Sequence, residues 1–152
     1  MRKKILVTLG IILALTGVSA AGIAVTSMNA PKHPSEYHIG ITYEEALKSE
    51  KPILAVFYVD WCGYCLRFMP KFATLSRVYK DKFNFVMINV EETEQTKKMA
   101  EDVGIGGFPT VYILDPKYDN RVLMPNAFYQ NLAKFRGELD RYLRIRSLLD
   151  KK

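Results

Sequence analysis

Cys62 and Cys65 are the only cysteines in the chain, and two residues separate them. At that spacing they fall one helical turn apart and can close a small disulfide without moving the backbone. The stretch that carries them, Phe57-Tyr-Val-Asp-Trp-Cys-Gly-Tyr-Cys-Leu-Arg-Phe-Met-Pro-Lys-Phe72, reads as the end of a buried strand, a turn and a helix beginning at the first cysteine. Backbone N–H groups without partners and the positive end of the helix dipole stabilise a thiolate there. Thiolate is the form that attacks disulfides. Three chemistries compete for such a pair: dithiol–disulfide exchange, half of a zinc site, or an inert staple. Zinc would need a second set of ligands. There is no further cysteine, and His33 and His38 lie early, without ligand spacing, so no metal is expected. If the pair exchanges, Cys62 is the nucleophile, because it stands nearest the helix start, and Cys65 resolves the mixed disulfide from one turn further in.

Trp61-Cys62-Gly63-Tyr64-Cys65, Pro70 five residues after the second cysteine, and Gly106-Gly107-Phe108-Pro109-Thr110 ahead of an apolar strand resemble the thioredoxin superfamily. The resemblance covers residues 41 to 149. It implies a thioredoxin-like α/β fold, a central mixed sheet with helices on both faces. It implies a cis Phe108–Pro109 bond against the disulfide and a kink at Pro70. Cys62 and Cys65 would be catalytic, with Trp61, Gly63, Tyr64, Phe108 and Pro109 supporting them. No cofactor is implied beyond the redox-active Cys62–Cys65 disulfide. The implied partners are protein thiol and disulfide substrates and a redox partner protein.

The chain also departs from the family pattern. Thioredoxins bury an aspartate beneath the disulfide and pair it with a lysine on the neighbouring strand; here those positions count out to Val56 and Met87. Both charges are gone together, which avoids leaving one of them buried alone. Asp60 is a solvated loop carboxylate on this reading. The glycine expected after the last strand is replaced by Met124-Pro125. The Gly63-Tyr64 dipeptide is similar to that of some bacterial disulfide isomerases, which carry an N-terminal dimerisation domain. The linker here is too short for one, and a monomer is expected.

These residues need a scaffold, and its elements are legible in the patterning. Thr42-Tyr-Glu-Glu45 fits a capping box for a helix to about Ser49 that buries Ala46 and Leu47. Ile53 to Val59 is a continuous apolar run, as expected of a strand covered on both faces. Phe68, Phe72, Leu75 and Tyr79 form a core-facing stripe on a helix from Cys62 to Tyr79. Phe83 to Val90 predicts a strand, and Glu92 to Val103 a polar helix stopped by Gly104. Pro109 to Leu114 predicts a strand, Asp115 to Asn120 a turn, and Arg121 to Met124 the return of a hairpin. A last helix is predicted from Asn126 as N-cap, burying Phe128, Leu132, Phe135, Leu139 and Tyr142.

The chain has 152 residues, 49% of them hydrophobic, enough for one domain with a substantial core plus an appendage. Arg2, Lys3 and Lys4 precede an uncharged run from Ile5 to Asn29. Small residues at Val18-Ser-Ala20 and Ser19-Ala-Ala21 offer a signal-peptidase site, while Ile5 to Val25 is also about long enough to span a bilayer. Residues 1–29 are therefore expected as a signal peptide or membrane anchor, 30–40 as a linker and 41–152 as the thioredoxin-like domain. The folded part would be exported, periplasmic or anchored to the outer face of the bacterial inner membrane. Of the net charge of +6, the three N-terminal residues supply three, leaving +3 for the rest. Much of that lies in the last helix, read as a solvated face, and no nucleic-acid motif accompanies it. The two function classes are an exported thiol–disulfide oxidoreductase and a non-catalytic binding protein on the same fold, stapled by Cys62–Cys65.

Overall fold

Strand β1, Ile53–Tyr58, is buried along its whole length and is the element the rest packs around. A computed structural model describes residues 31–151; the expected signal or anchor, 1–29, lies outside them. β2 (Asn84–Asn89) runs parallel to β1, with Val56 opposite Met87. β3 (Thr110–Asp115) lies antiparallel on the other side of β1 and is followed by its hairpin partner β4 (Asn120–Leu123). The sheet order is β2-β1-β3-β4, a mixed sheet as expected.

Alternation along β1 divides the core. Leu54, Val56 and Tyr58 face one apolar cluster, which takes in α2 (Gly63–Tyr79) and α4 (Leu132–Leu149). Ile53, Ala55 and Phe57 face a second cluster, beneath α1 (Tyr43–Ala46) and α3 (Glu94–Asp102). The predicted stripe of α2 is buried at Phe68, Phe72, Leu75 and Tyr79, and Pro70 lies inside the helix. Phe68 meets both Phe72 and Phe135 at ring-centroid distances of 5.9 and 6.0 Å, tying α2 to α4.

Both capping boxes close, Thr42 with Glu45 and Thr93 with Thr96. Gly104 follows α3 at φ 72°, the left-handed conformation expected of a C′ residue. Four of the expectations for helices and turns need correction. The helix after Thr42 is a single turn ending at Ala46, whose carbonyl accepts from Asn84 Nδ2 at 3.2 Å, and Leu47 is exposed. α3 starts after Thr93 and not at Glu92, since the Thr93 hydroxyl accepts from the Thr96 N–H. Asp115 is no turn residue: it ends β3, buried, accepting from the Tyr142 hydroxyl (2.8 Å) and from Arg146 Nε (2.6 Å). Asn126 does not cap the last helix. Asn126–Phe128 is a single 3-10 turn, and Asn131 caps α4 through its bond from the Lys134 N–H. Tyr129 explains the interruption. Its side chain turns into the core, where its hydroxyl accepts from the Val111 N–H at 2.8 Å.

The stretch read as a linker is packed from Pro34 onward. Pro34–Tyr37 forms a 3-10 turn, and Pro34 and Ile39 are buried, while His33 and His38 are exposed. The Ile41 N–H donates to Phe85 O on the outer edge of β2. Gly40, at φ 85°, lies so close to the Phe85 carbonyl that a side chain there would overlap it. This cover keeps the edge strand from presenting a bare ladder.

Candidate active site

The turn after β1 delivers Cys62 as the N-cap of α2, with extended backbone and its sulfur accepting from the Cys65 N–H at 3.1 Å. Cys62 and Cys65 are joined in a disulfide, with their Cα atoms 5.2 Å apart. Cys62 is 6% exposed and Cys65 is fully buried, so the first cysteine stands nearer the surface. The Cys62 sulfur stands at the positive end of a 17-residue helix, with the Cys65 N–H pointing at it. A hydrogen bond to the charged form and the helix dipole both favour thiolate.

Trp61, Gly63 and Tyr64 flank the cysteines in sequence, and Phe108 and Pro109 share a cleft with Tyr64. Trp61 and Tyr64 project from the surface, 72% and 67% exposed. Phe108 and Pro109 lead into β3 through a cis peptide bond, as the resemblance implied. Trp61 meets Phe108 edge-to-face at 6.3 Å. Gly63 has open space where a side chain would stand. A cleft of about 290 Å³ runs beside them, lined by Tyr64, Phe68, Phe108, Pro109, Tyr129 and the amides Asn126 and Gln130.

Among the described residues the one buried carboxylate is Asp115, which is taken up by Tyr142 and Arg146 and not by the cysteines. Val56 is fully buried in the cluster that also holds Cys65, and its ladder partner Met87 packs against that cluster. The Met87 sulfur accepts from the Ile39 N–H at 3.2 Å, so the packed lead-in segment closes over the place where a lysine would have stood. Asp60 is partly buried and accepts from the Ser35 N–H at 3.0 Å, which ties it to that segment. It is less solvated than expected.

Three residues escaped the sequence reading. Glu91 receives the Trp61 indole N–H on both carboxylate oxygens at 3.0 Å. β1 and β2 run parallel in register from Tyr58 and Asn89, so the residues just beyond their ends are neighbours, and that pairing could have pointed to Glu91. Arg67 stacks on the Tyr64 ring at 4.5 Å, a three-residue helical spacing that was open to notice. Tyr129 had no local signal. Burial pushes its hydroxyl up to about 12, so it stays protonated while its oxygen accepts from Val111.

The thioredoxin family model matches residues 36–134. The chain belongs to the thioredoxin family. It is 41% identical over 75 residues to the chloroplastic thioredoxin-like protein HCF164 of Arabidopsis thaliana, covering 49% of this chain and 28% of that protein. It is 34% identical over 103 residues to a protein disulfide-isomerase of Aspergillus oryzae, covering 67% of this chain and 19% of that protein. Thiol:disulfide interchange protein TxlA of Synechococcus elongatus is 32% identical over 73 residues, 48% of this chain and 38% of that protein. The chain thus spans less than two fifths of the length of each. Among solved structures, the germline-specific thioredoxin Deadhead of Drosophila melanogaster superposes with a TM-score of 0.53 at 22% identity, over 74% of this chain and 99% of that one, a likeness of fold.

Proposed function

We propose that this chain is an exported thiol–disulfide oxidoreductase that exchanges disulfides with protein substrates through Cys62 and Cys65. The observation that carries it is the placement of Cys62: the less buried of the pair, at the start of α2, its sulfur facing the Cys65 N–H. The Cys62 thiolate attacks one sulfur of a substrate disulfide. A Cys62–substrate bond forms and the other substrate sulfur leaves as thiolate. The Cys65 thiolate then attacks the Cys62 sulfur, closing the Cys62–Cys65 disulfide and expelling the second substrate thiolate. Two electrons pass from the protein to the substrate. The reverse sequence oxidises a dithiol, and the partners' potentials set which way the exchange runs. A redox partner protein returns the pair to its starting state.

Trp61, Tyr64, Phe108 and Pro109 supply the apolar frame that receives the polypeptide around the attacked sulfur, and Gly63 leaves the approach to Cys62 open. Residues 1–29 act as signal or anchor, and 41–152 as the catalytic domain with 30–40 leading into it. The basic start and the apolar run support a location outside the cytoplasm, periplasmic or on the outer face of the inner membrane. Chloroplast and cyanobacterial relatives named as thioredoxin-like and thiol:disulfide interchange proteins support the same activity.

The deciding experiment is catalysis of insulin reduction by dithiothreitol. The wild-type chain is expected to accelerate it, Cys62→Ser to abolish it, and Cys65→Ser to trap mixed disulfides with substrate. Full activity of the Cys62→Ser protein would overturn the assignment. A wild-type chain with no activity and no thiol titrating well below about 8.5 would leave the stapled binding protein in its place. A reporter fused after residues 1–40 that works only when exported tests the location, and the size of its product separates a cleaved signal from an anchor.

A further inference from the structure

We propose that the outward face of α4 is a membrane-contact surface that takes anionic lipid headgroups. The inner face of this helix buries Phe135, Leu139 and Tyr142. The helical period places Lys134, Arg141, Arg144 and Leu148 on the opposite side, with Lys151 just past the helix end. All five are exposed. Arg141 is paired with Glu138, but Lys134, Arg144 and Lys151 make no ion pair among the described residues.

A solvated basic face was the expectation for this segment, and the structure adds aliphatic side chains to it. Leu148 is 61% exposed and Ile145 beside it 46%. Water alone does not favour that composition. A nucleic-acid surface would set aromatic platforms among the charges, and both aromatic residues of α4, Phe135 and Tyr142, point inward. Leucine and isoleucine between long cationic side chains fit the headgroup and acyl boundary of a bilayer. Aliphatic tips enter that boundary while arginine and lysine reach the phosphates, and anionic lipid supplies the complementary charge.

The position of the face suits a working enzyme. Arg146, on the inner flank of the same helix end, donates to Asp115 at the end of β3 and to the Glu50 carbonyl just ahead of β1, each at 2.6 Å. The disulfide lies past the other end of β1. Lipid contact centred on Arg144, Leu148 and Lys151 therefore leaves Cys62 open to protein partners, and Lys134, in the first turn of α4, extends the face toward the other end of the helix.

The test uses the full chain with Trp61→Phe and Leu148→Trp, so that the introduced indole is its only one. It is added to vesicles of phosphatidylcholine, alone or with phosphatidylglycerol. Because the N-terminal run could hold the chain on either vesicle, retention is not the readout; the local indole is. With phosphatidylglycerol present, the emission should shift to the blue and be quenched by brominated acyl chains. Lys134→Glu, Arg144→Glu and Lys151→Glu together should abolish the quenching while leaving insulin reduction at the level of the same Trp61→Phe, Leu148→Trp chain without them. Raising the ionic strength should abolish it in the chain without those three changes, a measurement that holds even if the charge-reversed chain folds poorly. Equal emission with both lipids overturns the proposal. So does a response to heparin or duplex DNA without one to vesicles, which would make the face a site for anionic polymers.

Discussion

Replacing Val56 by aspartate tests the account of the core beneath the disulfide. Val56 is fully buried, its ladder partner Met87 is apolar, and the cluster it belongs to contains Cys65. A carboxyl placed there has no charge partner, and burial should raise its pKa by roughly 3–5 units above the unfolded value of about 3.9. Below pH 4 the group is protonated in both states and adds no charge penalty. Above that, the unfolded chain ionises first and binds fewer protons, so stability falls as pH rises, by about 1.4 kcal/mol per unit, until the folded-state pKa is reached. At pH 7 the loss is about three units' worth, roughly 4 kcal/mol, in addition to the lost valine packing. For a domain of this size that lowers the melting temperature by on the order of 10 °C. Adding Met87→Lys should recover part of it by pairing the charge. The kinetic arm is stopped-flow decay of a Cys62 mixed disulfide from about pH 6 to 9. In the wild type, Cys65 sits in an apolar surrounding that holds a thiol protonated, so resolution should be slow near neutrality and quicken as pH rises. In the Val56→Asp protein, a carboxylate near Cys65 should quicken it at neutral pH. Wild-type decay that is fast and flat with pH, together with an aspartate variant whose stability does not fall from pH 4 to 7, would refute the placement of position 56 beneath the disulfide.

Two other substitutions probe contacts that the patterning did not reveal. Asp115→Asn should cost about 1.5–3 kcal/mol, measured by urea denaturation, because it takes the charge from the buried acceptor of Tyr142 and Arg146 while Arg146 keeps Asp150. Adding Arg146→Met should restore a large part. Glu91→Ala should change stability by no more than about 0.5 kcal/mol, since the contact is exposed. It should nevertheless alter the fluorescence of Trp61, the only tryptophan, and unchanged emission would mean that the indole is not held by Glu91 in solution.

The legible parts of this molecule were those whose cause is local. The continuous apolar run of β1, the Thr42 capping box, the stripe along α2 and Gly104 each follow from spacing that the backbone imposes on neighbours in sequence. The cysteine pair was legible for the same reason, since its chemistry is set within one helical turn. The cis Phe108–Pro109 bond was different in kind. Nothing in the dipeptide specifies it, and it was expected from the family motif alone.

What escaped was set by contacts distant in sequence. Asn126 and Asn131 offer the same side chain, and either could cap a helix. The choice falls to Asn131 because Tyr129, between them, turns inward to bond the Val111 N–H 18 residues away. Asp115 looked like a turn residue beside Pro116, yet its carboxylate is claimed by Tyr142 and Arg146, 27 and 31 residues further on. Residues 30–40 read as a linker because of Pro31, Pro34 and Gly40. The lead-in from Pro34 to Ile41 is ordered by β2, through Ile41 on the Phe85 carbonyl and Ile39 on the Met87 sulfur. That last contact joins the two departures from the family pattern. A methionine at position 87 both removes the charge that would have partnered a buried aspartate and offers a sulfur acceptor to the segment closing over it. The loss of the charge pair and the packing of the lead-in are thus one structural change, and the Met87→Lys substitution that would restore the first should loosen the second.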